Sequence, residues 1–206
     1  DVVGKSAHGS TPHAGINAAT YLATFLNQYE FAGQAKNFLS FAADVLHLDT
    51  DGAKLNVALE DSVMGPLTAN AGILTFTPEV GGKSVVNFRY PRGIDAKTVE
   101  TKANAVSSNY GLTVSAGKSQ VPHYVSPEDP LVATLLEVYA KQTGLPAHEQ
   151  SIGGGTYGRI FERGVAYGAL FPDSIDTMHQ ANEFFALDDL FRSAAIYAEA
   201  IYELIK

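Results

Sequence analysis

Four groups of residues have types and spacings that could carry chemistry. The stretch Asp176-Thr177-Met178-His179-Gln180-Ala181-Asn182-Glu183 sets one histidine between two carboxylates. A working histidine needs its second ring nitrogen oriented, and Asp176 or Glu183 could do this; the alternative is a surface-loop histidine beside acidic neighbours. In Gly153-Gly154-Gly155-Thr156 the glycines would let backbone approach a ligand closely, and a helix start behind them would offer N–H groups to an anion. A tight turn explains the same run. It lacks the Lys-Ser/Thr ending of a phosphate-binding loop and the spacing of a dinucleotide fingerprint, which argues against nucleotide binding. Arg89 could hold a carboxylate through two parallel hydrogen bonds, or be a solvated strand residue. His8 stands between Ala7 and Gly9, where a strand gives way to a turn before a helix; a lone loop histidine of this kind more often has no function.

The remaining histidines offer less. His47-Leu48-Asp49 has the His-x-Asp form of a ligand pair, but no further ligand follows at useful spacing, and it reads as a helix end. His13, His123 and His148 acquire no role from spacing. A catalytic zinc takes about three protein ligands plus an open position. Around His179 the chain supplies one histidine, some carboxylates and no second cluster. Either there is no metal, or its other ligands lie outside this chain.

The elements that must position these residues follow from periodicity. Thr11-Pro12 reads as a helix entry, with Ile16, Ala19, Leu22, Ala23, Leu26 and Tyr29 at helical spacing behind it. A second helical pattern runs from Phe38 to Leu46, and Asp49 to Gly52 reads as a turn. Ala71–Thr77 and Lys83–Tyr90 form a predicted hairpin across Pro78 and Gly81-Gly82. In its second strand Val86, Phe88 and Tyr90 share one face, and Asn87 and Arg89 the other. A helix over 95–108 and a strand over 112–116 complete this half. Beyond Pro122, the expected domain boundary, the pattern predicts a helix after Pro130 that ends at Gly144. The glycine run then opens a short helix to about Arg163. The apolar run Val165–Phe171 reads as a central strand covered on both faces. If it is parallel to a strand near His148, the glycine run and His179 share one sheet edge, where open α/β sheets place ligands. The final helix carries Leu187, Leu190, Phe191, Ala194, Ala198, Ile201 and Ile205, a stripe expected to pack on a sheet.

Composition excludes several classes. With no cysteine among 206 residues there is no disulfide, thiol catalysis or cysteine-bound zinc. A net charge of -8 argues against nucleic-acid binding, which needs clustered Lys and Arg. No apolar run approaches the ~20 residues of a membrane span, and no signal peptide opens the sequence, so a soluble, cytoplasmic protein is expected. The first residue, Asp1, suggests a fragment or a processed product.

The same segments resemble a known pattern. Gly4-Lys5-Ser6-Ala7-His8-Gly9-Ser10-Thr11-Pro12-His13-Ala14-Gly15-Ile16-Asn17-Ala18 resembles the lid signature of the zinc aminoacylase, carboxypeptidase and dipeptidase metallopeptidase family. Its PepV-type dipeptidase branch is matched by 64–72, Asn87-Phe88-Arg89-Tyr90-Pro91, His123-Tyr124-Val125, 152–157 and 176–183. The resemblance implies an α/β protein: an α+β two-layer lid domain, partial, over 1–122, then the carboxyl-terminal portion of an α/β zinc-peptidase catalytic domain over 123–206. It implies hydrolysis of dipeptides with a free carboxyl terminus, using two zinc ions, with manganese or cobalt as alternatives. It makes His179 a metal ligand, His8 the lid histidine that stabilises the tetrahedral oxyanion, and Arg89 the holder of the substrate carboxylate. Gly153, Gly154, Gly155 and Thr156 would meet substrate through their backbone.

It also implies an absence. The family's His-x-Asp motif, bridging aspartate, Glu-Glu pair and further carboxylate ligand cannot be placed here, so the chain reads as a carboxyl-terminal part, inactive by itself. The expected partners are a dipeptide and the missing amino-terminal catalytic segment, with neither nucleic acid nor membrane, and with oligomeric state open. A non-catalytic binding or dimerisation module with the family fold is the alternative, and a small-anion binder using the glycine run a third.

Overall fold

A computed structural model describes residues 1–168, 170–178 and 181–206. The chain divides into two compact units. The first comprises Asp1–Pro122 with Ser151–Gly154, and the second His123–Gln150 with Gly155–Lys206.

The first unit packs helices on an antiparallel hairpin. Strand β1 (Glu60–Asp61) pairs with β2 (Gly65–Pro66), and β3 (Thr68–Thr77) with β4 (Gly81–Arg89). Helices α1 (Ala18–Leu26) and α2 (Gly33–Phe41) precede the strands, α2 continuing through a wider turn over Ala42–Leu46, and α3 (Ala96–Ser107) follows them. The core joins Phe41, Val45 and Leu46 to Leu55, Val57, Leu67, Ala69, Ala71, Val99 and Ala103.

One residue sets the phase of β3. Ala71 pairs with Val86 and Ile73 with Val85, so Gly72 is an extra residue in the ladder. Before this bulge the odd positions Ala69 and Ala71 face the core; after it the even positions Leu74 and Phe76 are the more covered. Since side chains alternate along a strand, one inserted residue keeps the apolar set on one face although its sequence phase changes. On β4, Val86, Phe88 and Tyr90 pack against the core while Asn87 and Arg89 are exposed, which is the predicted division of faces.

Two expectations in this unit change. Pro12–Ala14 form a single 3-10 turn rather than the start of the following helix, because Gly15 is extended and α1 starts afresh behind Asn17. Asn17 caps it by accepting from the Thr20 N–H at 3.3 Å. The segment 112–116 is no strand. Its Val114 and Ala116 N–H groups donate to Asn104 Oδ1 and Glu100 Oε1, so side chains of α3 supply the acceptors a ladder would have given.

The second unit holds α4 (Pro130–Thr143) and α5 (Leu187–Ile205). Asp129 caps α4, accepting from the Leu131 N–H at 2.9 Å, and Gly144 ends it at φ +71°. The core is Leu135, Val138, Phe171, Ile196 and Ala200. Buried Asp189 has its carboxylate satisfied by the Ser174 hydroxyl at 2.7 Å and the Arg192 guanidinium at 3.1 Å. That guanidinium also lies over the Phe171 ring, 3.9 Å from its centre.

Here the expectation of a parallel sheet fails. Among the described residues of 165–171 and near His148 no strand forms, and both sheets of the described chain are antiparallel. Along 165–171 burial alternates: Val165, Tyr167 and Phe171 are covered while Ala166, Gly168 and Leu170 are exposed. A central strand needs a ladder partner on each side, and the described residues supply none. For the same reason the α5 stripe finds no sheet. That helix turns Ser193, Ile196 and Ala200 inward, leaving Leu187, Phe191, Ile201 and Ile205 between 59% and 76% exposed.

Candidate active site

His8 lies in a loop pinned at its neck. The Lys5 N–H donates to Ile16 O at 3.0 Å and the Ile16 N–H to Lys5 O at 2.9 Å. Gly15 is required at this neck, because a side chain there would stand 2.8 Å from Lys5 O and 2.9 Å from the Ala7 methyl. A turn inside the loop is closed by the Thr11 N–H, which donates to His8 O at 2.9 Å. Asn17 then ties the loop to the sheet, donating from Nδ2 to Ala71 O at 2.8 Å, beside the Gly72 bulge.

These restraints lay the loop over the polar side of the hairpin. A Cβ on Gly9 would lie 3.8 Å from Asn70 Nδ2 and 4.0 Å from Asn87 Oδ1, and those two asparagines are cross-strand partners. Arg89 follows two residues beyond Asn87, on the same face and opposite Thr68. Its side chain is exposed, and among the described residues no hydrogen bond or ion pair engages its guanidinium. The end of β4 is anchored just past it. Arg92 donates from Nη2 to both oxygens of Asp61 at 3.1 Å, and Asp61 Oδ1 also accepts from the Met64 N–H at 2.8 Å and the Val63 N–H at 2.9 Å. The Met64 amide first, then Arg92 and the Val63 amide, hold the Asp61 carboxyl down at about 2.

A cleft of about 240 Å³ opens in this unit, with His13, Asn17, Tyr21, Asp49 and Asn70 in its walls. Burial pushes the Asp49 carboxyl above the usual range, with the Asp51 carboxyl beside it adding to the effect. His47 ends the turn after α2, its Nδ1 3.2 Å from Thr20 Oγ1, and burial followed by the Lys54 charge lowers its pKa. His123 is engaged in the second unit, where its Nε2 donates to Gly164 O at 2.6 Å.

The glycine run crosses the division between the units. Gly153 and Gly154 belong to the first, and Gly155 and Thr156 to the second. Gly153 meets Ser10 of the His8 loop, and a methyl at 153 would overlap the Ser10 Cβ. The run opens a single 3-10 turn, Tyr157–Ile160, in place of the expected helix to Arg163. So short a turn has almost no axial dipole to offer an anion. The structure thus gathers His8, Ser10, Gly153 and the Asn70–Asn87–Arg89 face in one unit.

His179 lies outside the described residues. Among the described residues on either side, Thr177 Oγ1 donates to Phe184 O at 3.0 Å and accepts from the Phe184 N–H at 3.1 Å. Asp176 Oδ1 accepts from the Met178 N–H at 2.9 Å. Among the described residues no three histidine or carboxylate side chains could together hold a metal ion. Zinc therefore does not fit a site built from the described residues alone.

Ser10 and Asn17 are the positions that sequence reasoning passed over. Both lie inside the quoted lid signature, and Asn17 had a usable signal, a capping residue just before a helical run.

Comparison with known proteins decides the kinship. The pattern of peptidase family M20/M25/M40 matches residues 9–203. The chain belongs to this peptidase family. Along its whole length it is 50% identical to a β-Ala-Xaa dipeptidase of Lactobacillus delbrueckii subsp. lactis. It is 41% identical over 204 residues to a Staphylococcus aureus protein provisionally named a dipeptidase, and 39% over 203 residues to another from Staphylococcus saprophyticus, with 98% of the chain covered in each. The chain spans 43% of the length of each of these relatives. Among its described residues no helix of this peptidase-family chain is long and apolar enough to cross a membrane.

Proposed function

We propose that the whole protein is a cytoplasmic, metal-dependent dipeptidase that cleaves dipeptides with a free carboxyl terminus, and that this chain is its carboxyl-terminal portion. In this reading 1–122 is most of a lid domain and 123–206 the returning part of the catalytic domain. The observation that carries it is the His8 loop seated over the face of the hairpin that presents Arg89, in a chain 50% identical to a β-Ala-Xaa dipeptidase.

Each residue has a task that suits its chemistry. His8 donates a hydrogen bond to the oxygen on which negative charge develops as the peptide carbon becomes tetrahedral. Arg89 pairs with the substrate carboxylate through two parallel bonds, which selects a dipeptide over the interior of a polypeptide. Gly153, Gly154, Gly155 and Thr156 present backbone to the substrate. His179 is one ligand of a zinc pair, the others being assigned to a segment this chain does not include. When bound, such ions supply Lewis-acid polarisation and a water of lowered pKa. Manganese or cobalt would serve with the same ligand types.

The test is hydrolysis of dipeptides by the whole protein after chelation and after return of zinc or manganese, with the 206-residue chain in parallel. Metal-restored activity in the whole protein and none in the 206-residue chain is expected. An inactive whole protein with every metal would defeat the enzyme reading, and an active 206-residue chain would defeat the assignment of ligands elsewhere.

A further inference from the structure

The His8 ring is held by its own loop in a way that decides which nitrogen carries the proton. The Ser10 backbone N–H, which can only donate, points at His8 Nδ1 from 3.3 Å, and Ser10 Oγ lies 2.7 Å from the same nitrogen. A proton on Nδ1 would oppose the backbone N–H head-on. Nδ1 is therefore the acceptor, the serine hydroxyl turns to donate to it, and in the neutral ring the proton resides on Nε2.

We propose that Ser10 is a positioning residue that fixes His8 in the tautomer protonated at Nε2, and that Gly153 keeps Ser10 in place. The proposal rests on the reading of His8 as an oxyanion donor, since with Nδ1 accepting from Ser10 the neutral ring has its one N–H at Nε2. Gly153 enters through packing. A methyl there would overlap the Ser10 Cβ and stand 3.0 Å from its Oγ, whereas one on Gly154 would meet nothing within 4 Å. The first glycine of the run thus acts on the lid histidine through Ser10, a task separate from any backbone contact with substrate.

The ring-nitrogen resonances of the whole protein labelled with 15N-histidine read this directly, with His8→Gln identifying the His8 signals. In the unsubstituted protein Nδ1 should resonate as an unprotonated ring nitrogen and Nε2 as a protonated one. Ser10→Ala keeps the backbone N–H, so the proton should stay on Nε2 while the Nδ1 signal shifts with loss of the hydroxyl donor. Gly153→Ala, which displaces Ser10 itself, should move both signals toward an average of the two tautomers, while Gly154→Ala leaves them in place. In kinetics, Ser10→Ala should lower kcat about tenfold, the worth of one hydrogen bond, with KM nearly constant. A protonated Nδ1 in the unsubstituted protein, or ring signals unchanged in Gly153→Ala, would overturn the proposal. Full turnover in His8→Ala would instead overturn the donor reading, whatever the spectra show of Ser10.

Discussion

At the scale of single residues, two substitutions separate binding from the chemical step. His8→Ala removes a donor that matters most once charge has developed, so kcat should fall roughly 10²–10³-fold with little change in KM, measured by steady-state hydrolysis in the whole protein. Arg89→Lys keeps the charge but loses the planar fork, and KM for free-carboxylate dipeptides should rise roughly tenfold. A third test concerns the anchor beyond Arg89. The Asp61 carboxyl is depressed to about 2 by the Met64 amide and Arg92, so the folded state releases this proton more readily than the unfolded one. Its stabilising contribution is present above pH ~4 and is lost as pH falls from about 4 to 2. Asp61→Asn should therefore melt below wild type at pH 6, with the two midpoints converging near pH 2. A constant gap across that range would contradict the assignment. Arg89, on the polar face of a strand, was legible from alternation alone, because a hairpin with one covered face imposes period two. Ser10 was not, since a serine two residues past a histidine has no pattern of its own; its meaning comes from a turn that folds it back onto the ring.

At the scale of elements, the His8 loop depends on one side chain more than on any helix. Asn17 both caps α1 and donates to Ala71 O. Asn17→Ala should cost about 1–2 kcal/mol in denaturant unfolding, from the lost cap and the unpaired carbonyl, and should lower turnover with it. The hairpin and the helices α1 to α5 could be read from periodicity because each satisfies its backbone locally or with a sequence neighbour. The segment 165–171 could not. Its continuous apolar run implied a central strand, but a strand's identity lies in its ladder partners, and the described residues provide none. The α5 stripe fails in the same manner: the helix is where the period places it, yet its predicted buried face is the exposed one. That face should bind a hydrophobic dye in the 206-residue chain, and Phe191→Ser with Ile201→Ser should reduce the signal while leaving helix content intact.

At the scale of the whole molecule, family membership and the length of the relatives define what this chain contributes. It carries the residues proposed to read the carboxylate and the oxyanion, His8 and Arg89, and one proposed metal ligand, His179. Having no cysteine, this chain itself can offer a metal only histidine and carboxylate side chains of the usual zinc-ligand types. The most direct test is to present the whole protein, with zinc restored after chelation, with one dipeptide as its free acid and as its carboxyl-terminal amide. Hydrolysis of the acid, at least tenfold slower hydrolysis of the amide, and loss of that preference in Arg89→Ala are expected. Equal hydrolysis of acid and amide, or cleavage of neither with any divalent metal, would contradict the reading of this protein as a dipeptidase that recognises a free carboxylate.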